Sequence, residues 1–232
     1  MVSGGVLADV PLTARGGNGD DLLLGGARAD TLIGGRGADF VNGRVGTDVE
    51  VLGNGDDTAA WNPGEGSDAI EGGPGRDTLV FNGSDGDEQM SLSANGPSAV
   101  FLRTQGNIRM DLDGVEALEL ATFGGADKVT VNDLSGTDVT AADIDLAATT
   151  GASDANDDTV LVNGSDRPDA VDVTAIDASV GVRGLAANTS ISDADTTDVL
   201  LVSTLGGDDR VAVAAAASAL LDIQTDLGAD QS

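Results

Sequence analysis

Between residues 16 and 80 the chain alternates short apolar stretches with polar, glycine-rich ones on a fixed beat. An acid opens each apolar stretch: DLLL (21–24), DTLI (30–33), DFVN (39–42), DVEV (48–51), DTAA (57–60), DAIE (68–71) and DTLV (77–80). Each reads as DxUx, with U the buried apolar position of a short strand. A strand of three or four residues cannot stand alone, so neighbours must stack to bury the U column. Glycine-rich turns between the strands reverse the chain, so two units make one coil of about eighteen residues.

The register starts at Gly16, Gly25, Gly34, Gly43 and Leu52, and resumes at Pro63 and Gly72 after a two-residue insertion around Trp61–Asn62. The units are GGNGDDLLL, GGARADTLI, GGRGADFVN, GRVGTDVEV, LGNGDDTAA, PGEGSDAIE and GGPGRDTLV, and the sixth residue of all seven is Asp. Alternate turns share an edge of the stack. Edge one carries Asp21, Asp39, Asp57 and Asp77, and edge two carries Asp30, Asp48 and Asp68. Gly4–Leu12 (GGVLADVPL) reads as a decayed earlier copy with Asp9 in the matching place.

Composition narrows the chemistry. The chain has 232 residues, 40 acidic against 11 basic, a formal charge of −29, and no His, Cys or Tyr. Such a surface repels nucleic acid and anionic membranes and attracts cations. Without His or Cys, the metal ligands left are carboxylates and backbone carbonyls, a set that suits calcium or magnesium. The 4 Phe and 1 Trp are too few for a conventional core, but 40% of residues are hydrophobic, so the chain is no disordered acidic tail. No 18-residue apolar window exists to span a membrane. The opening MVSGGVLADV lacks the basic region and long apolar run of a signal peptide. The expectation is a piece of a longer chain or a protein exported by another route, type I export included.

Neighbouring coils would stack at roughly 4.8 Å, and a Ca²⁺–oxygen bond is about 2.3–2.6 Å, so one calcium fits midway between successive loops. Two Asp carboxylates plus turn carbonyls would form its shell, and the ion would turn like-charge repulsion into cohesion. The competing role for these aspartates is turn capping, in which Asp bonds its own backbone.

The units GGNGDDLLL, GGRGADFVN and GGPGRDTLV resemble the RTX (hemolysin-type) repeat, GGxGxDxUx, of secreted bacterial proteins. The resemblance implies an all-β parallel β-solenoid: an RTX β-roll over 16–80, after a lead-in at 1–15. It also implies several bound Ca²⁺ ions. Carried over, Asp21 and Asp39 would share a calcium with the carbonyls of Gly16, Asn18, Gly35 and Gly37. Asp39 and Asp57 would share the next with Gly34, Arg36, Gly53 and Gly55. For Asp57 and Asp77 the resemblance adds Asn54, Gly73 and Gly75. On edge two, with Asp30, Asp48 and Asp68, Arg28 and Arg44 replace turn glycines, and an Arg there could neutralise the column in place of a metal.

Beyond Phe81 a slower repeat appears. DTLVFNGSDGDE (77–88), EALELATFGGAD (116–127), DTVLVNGSDRPD (158–169) and DVLLVSTLGGDD (198–209) align about forty residues apart. The first copy contains four strand-like pieces. The expectation for 81–232 is a β-helix-like solenoid continuous with the roll, with an antiparallel sandwich as the other reading. FGGAD and LGGDD, lacking ladder neighbours, read as ordinary turns. The run Ala214–Ala217 reads as a terminal strand or a short helix.

No GxSxG, P-loop or HExxH motif is present, and no enzyme activity is expected. Arg103 and Arg109 suggest a polysaccharide lyase, but no cluster of acids and bases accompanies them. Trp61 suits either a sugar-stacking platform or a cover over exposed core. The functional expectation is a calcium-binding structural module of a secreted, extracellular protein. The alternatives are an adhesin or matrix module contacting a cell surface or glycan, or a carrier for an enzyme domain absent from this chain.

Overall fold

The computed structural model describes residues 2–3, 10–151 and 153–228, so Asp9 and most of the expected copy at 4–12 lie outside the described residues. Among these the secondary structure is all strand apart from two short 3₁₀ turns, at Gln105–Asn107 and Ala217–Ala219. The alanine run therefore ends in a 3₁₀ turn, ahead of the strand Asp222–Asp226.

The chain divides into two compact units. The first holds residues up to Asn82, Asn95–Glu119 and Gly136–Val139; the second holds Gly83–Ala94, Leu120–Ser135 and the chain from Thr140 on. The division does not follow the change of repeat at residue 80.

The first unit is a parallel β-solenoid. Thr13–Asn18, Thr31–Arg36, Val49–Asn54 and Ala69–Glu71 stack in one sheet. Leu22–Leu24, Phe40–Asn42, Thr58–Trp61 and Thr78–Asn82 stack in the other. Partners lie 18 residues apart early in the stack, and 20 apart across the insertion at Trp61–Asn62. Trp61 still pairs in register with Phe81, so the extra residues fall in the turn before Ala69–Glu71 and the strand register survives them. Leu23, Val41, Ala59 and Leu79 form one inward column, each 0% exposed. At about 1.5–3 kcal/mol for each fully buried large aliphatic side chain, such columns hold the sheets together. The facing column runs Ala14, Leu32, Glu50, Ile70. Glu50 breaks the apolar rule of the repeat, and its carboxyl lies inside the core.

Trp61 is fully buried, with its ring stacked on Phe81 at 4.1 Å between centroids and Phe81 in turn against Phe101 at 4.6 Å. This excludes the sugar-platform reading: the indole is a core residue at the end of Thr58–Trp61, in register with Phe81. Its Nε1 donates to Gly66 O at 2.7 Å.

In the second unit Gln89–Asn95, Lys128–Val131, Thr159–Asn163, Val199–Ser203 and Asp222–Asp226 pair in parallel. Their inward columns are Met90–Val129–Val160–Leu200 and Leu92–Val131–Val162–Val202. The solenoid reading holds for both units, with one correction. Antiparallel pairs are inserted in it: Ser98–Arg103 with Ile108–Asp113, and Ser179–Arg183 with both Ala170–Ile176 and Asn188–Ser192. The copies starting at Asp77 and Asp158 therefore contribute four strands each, while those starting at Glu116 and Asp198 contribute three. The structural repeat is two of the sequence copies long.

Candidate metal centre

Edge one is built by a repeated rung. The backbone N–H of Asp21 donates to Asp39 Oδ1 at 2.8 Å, that of Asp39 to Asp57 Oδ1 at 2.7 Å, and that of Asp57 to Asp77 Oδ1 at 3.0 Å. The Asp77 N–H continues to Glu116 Oε2 at 2.6 Å. Glu116 closes the column from 39 residues further along the chain, a member that nine-residue counting does not find. Asp39, Asp57 and Asp77 are buried, and the second carboxylate oxygen, Oδ2, of each has no hydrogen-bond partner. A buried polar atom left in this state costs about 1–3 kcal/mol, more if charged. Burial pushes the Asp77 carboxyl up to about 6, with the Asp57 and Glu116 charges adding to it and the N–H bond from Asp57 opposing it. Burial raises Asp57 in the same way.

The second and fourth turn residues share one backbone signature, with φ of +125° and +123° at Gly35 and Gly37, and +121° and +139° at Gly53 and Gly55. Gly73 and Gly75 repeat it at +110° and +147°. Parallel stacking then fixes where the carbonyls point. Gly19 N donates to Arg36 O at 2.7 Å, Gly37 N to Asn54 O at 2.9 Å and Gly53 N to Gly72 O at 2.8 Å. First- and third-position carbonyls therefore look back toward the preceding coil. Second- and fourth-position carbonyls look forward: Gly17 O would stand 2.2 Å from a Cβ on Gly35, and Gly37 O 2.0 Å from one on Gly55.

This corrects the ligand pairing carried over from the resemblance. The oxygens between the Asp21 and Asp39 coils are those of Gly17, Gly19, Gly34 and Arg36, while Gly35 and Gly37 face the Asp57 coil. Asn54 faces the Asp39 coil, and Gly53 and Gly55 face the Asp77 coil. By the same geometry Gly16 and Asn18 look away from Asp39. The reason is chain direction, because in a parallel stack the donors of one coil meet the acceptors of the next.

Edge two keeps the rung: Leu12 N to Asp30 Oδ1 at 2.7 Å, Asp30 N to Asp48 Oδ1 at 2.6 Å, and Asp48 N to Asp68 Oδ1 at 2.8 Å. Its turns differ. Arg44 and Gly64 alone have positive φ there, one each in the turns at 43–48 and 63–68 and none at 25–30, where every edge-one turn has two. Asp30 Oδ2 accepts the Gly26 N–H at 2.6 Å, so Asp30 has both oxygens satisfied and acts as a turn cap. Asp48 Oδ2 has no such partner. Burial raises Asp48 to about 6, with the charges of Asp30 and Glu65 adding to it, and raises Asp68 to about 7, with the charges of Asp48 and Glu65 adding to it. Arg44 reaches the Gly25 carbonyl (3.4 Å), and not the Asp column.

Among the described residues no three acidic side chains converge on one point. A cation on edge one would take carboxylates of consecutive coils plus the carbonyls between them. The unpartnered Oδ2 atoms and the all-oxygen surroundings fit calcium. Residues 15–50 and 64–92 match the RTX calcium-binding nonapeptide repeat, in four copies. The chain carries RTX repeats. No curated protein matches it. The RTX region is a calcium-binding structural module, and the unmatched stretch at 51–63 still holds the Asp57 turn with its two positive-φ glycines. Among the described residues no helix is long and apolar enough to cross a membrane.

The turns FGGAD and LGGDD do have ladder neighbours, contrary to expectation. Asp127 Oδ1 accepts from Glu88 N at 2.8 Å, and Asp209 Oδ1 from Asp169 N at 2.8 Å.

Proposed function

We propose that this chain is a calcium-responsive structural module of a secreted protein, unfolded where calcium is scarce and folded where it is plentiful, with no catalysis of its own. The buried, unpartnered Oδ2 atoms of Asp39, Asp57 and Asp77 carry this reading. A solenoid that stacks acids at strand spacing must protonate them, endure their repulsion, or bind cations between them. Calcium, when bound, supplies the missing positive charge and bridges one coil to the next. No preformed site exists in the open chain, so binding and folding are coupled. All-oxygen sites of this kind suit millimolar extracellular calcium. The arginines that suggested a lyase are engaged structurally: Arg103 lies over the Trp61 ring at 5.4 Å and donates to Gln105 O, and Arg109 pairs with Asp111.

The test is far-UV circular dichroism of metal-stripped protein during calcium titration, with magnesium as control. A cooperative coil-to-β transition specific to calcium is expected. A full β spectrum before addition, unchanged after it, would leave the aspartates as turn caps and end this reading.

A further inference from the structure

The second unit reproduces the edge-one rung where loop 83–88, at the end of the matched repeat region, meets loop 122–127 outside it, and again between two loops further along the chain. Loop 83–88 stacks beneath loop 122–127 as loop 16–21 does beneath loop 34–39. Ala126 N donates to Asp87 Oδ1 at 2.9 Å, where Ala38 N donates to Asp20 Oδ1 at 2.8 Å. Lys128 N donates to Glu88 O at 2.9 Å, where Phe40 N donates to Asp21 O at 2.9 Å. A Cβ on Gly83 would stand 2.6 Å from Glu88 Oε2 and 2.7 Å from Thr122 O; on Gly16 it would stand 2.7 Å from both Asp21 Oδ2 and Gly34 O. A Cβ on Gly125 would stand 2.6 Å from the Gly86 carbonyl carbon; on Gly37 it would stand 2.5 Å from that of Gly19. Phe123 takes a φ of +69° in the place of the second glycine.

Asp127 is 2% exposed. Its Oδ1, bonded to the Glu88 N–H, holds the carboxylate against loop 83–88, and its Oδ2 has no partner. The arrangement returns once more in this unit, between loops 164–169 and 204–209. There Leu205 has φ +64°, a Cβ on Gly207 would stand 2.7 Å from the Arg167 carbonyl carbon, and Asp209 Oδ2 is unpartnered.

We infer that the second unit holds divalent-cation sites of its own, one between loops 83–88 and 122–127 and one between loops 164–169 and 204–209. Each takes a hard cation such as calcium, bound by the unpartnered Oδ2 of Asp127 or of Asp209 and by turn carbonyls. Glu88 and Asp169 on the facing loops accept from Ser84 and Ser165 and cap their turns, as Asp30 does on edge two. The inference rests on the reading that the same geometry binds calcium in residues 16–80. The glycine code is absent from these loops because Phe123 and Leu205 adopt the turn conformation that glycine adopts in the repeats.

The test counts bound calcium by equilibrium dialysis on the whole chain, for wild type and for Asp39→Asn, Asp127→Asn and Asp209→Asn. Asparagine keeps the Oδ1 acceptor of the rung and replaces the unpartnered oxygen with a neutral amide. Asp127→Asn and Asp209→Asn should each lose an ion, and the double variant two. Hydrogen exchange of the wild type, with and without calcium, covers the case in which a variant fails to fold. Amides of 84–88 and 123–127 should then slow on adding calcium, as those of 35–39 do. If Asp39→Asn loses calcium while the other two keep the wild-type count, or if loop 122–127 exchanges alike with and without calcium, the second-unit sites do not exist and the repeat-region reading stands. If no variant loses calcium, both readings fall.

Discussion

Replacing Glu50 with Gln should stabilise the fold at neutral and alkaline pH. Glu50 occupies an apolar column between Leu32 and Ile70 and is 1% exposed. Oε1 accepts the Gly43 N–H at 2.6 Å, and Oε2 has no partner. Burial, reinforced by the charges of Asp68, Asp48 and Glu65, pushes its carboxyl from 4.5 up to about 8. At about 1.4 kcal/mol per unit, holding the proton at pH 7 costs the fold about 3 kcal/mol as an order of magnitude. A raised value in the folded state means that the full contribution is present below pH 4.5 and is lost as pH rises through about 8. Gln keeps the acceptor for Gly43 and does not titrate. The gap between variant and wild type should therefore widen by up to about 1.4 kcal/mol per pH unit in that window. The assay is urea denaturation at saturating calcium, at pH 5 and pH 8, followed by fluorescence of the buried Trp61. Equal pH dependence in both proteins, or a weaker Gln variant at pH 8, would refute the reasoning. Glu50 would then be ionised in the fold and held by a cation.

Calcium uptake should release protons, because it needs the ionised forms of Asp68, raised to about 7, and of Asp77, raised to about 6. Binding should weaken from pH 7 to pH 5, and calorimetry in buffers of different ionisation heat reads the released protons directly. Metal-free protein should show the opposite trend, with the stability of these raised carboxyls lost as pH rises through 6 to 7, measurable by thermal melts in EGTA. Gly35→Ala should destabilise more than Gly17→Ala. Both need positive φ, at about 1–2 kcal/mol, but a Cβ on Gly35 meets Gly17 O at 2.2 Å while one on Gly17 meets nothing within 4 Å. Denaturation midpoints of the two variants decide it. Trp61→Ala should cost about 3–5 kcal/mol, because it empties the stack against Phe81; unchanged urea stability would place the ring outside the core.

How much of this was legible in the residues depends on what each feature is encoded by. The nine-residue register, its break at Trp61–Asn62 and the two Asp edges follow from spacing alone, because short strands of equal length must stack in register. The direction of the carbonyls is set by hydrogen bonding between parallel coils and is invisible in a repeat read one unit at a time. Glu50 escaped notice because a repeat tolerates one exception in its apolar column without losing its pattern.

The longest omission has a physical cause that also explains why the ladder outlasts its code. A rung is a backbone N–H of one coil bonded to a carboxylate of the next, and it requires coil spacing and not coil length. Rung partners are separated by 18 residues at Asp21–Asp39, 39 at Glu88–Asp127, 31 at Asp127–Asp158 and 40 at Asp158–Asp198. Hairpins and loops bulge from the coil between rungs without disturbing them. A search for acids at constant intervals therefore sees only the stretch where no excursion intervenes. In the longer coils the column is carried by residues such as Glu88, Asp127 and Asp158, each buried on a turn whose neighbour along the stack is distant in sequence. The net charge of −29 reflects the same arrangement, since a fold that aligns acids in columns accumulates negative charge with every coil it adds. A cation that binds between rungs offsets this charge locally, coil by coil. The stack can then lengthen by irregular coils as readily as by nonapeptides, provided each returns an acid to the rung.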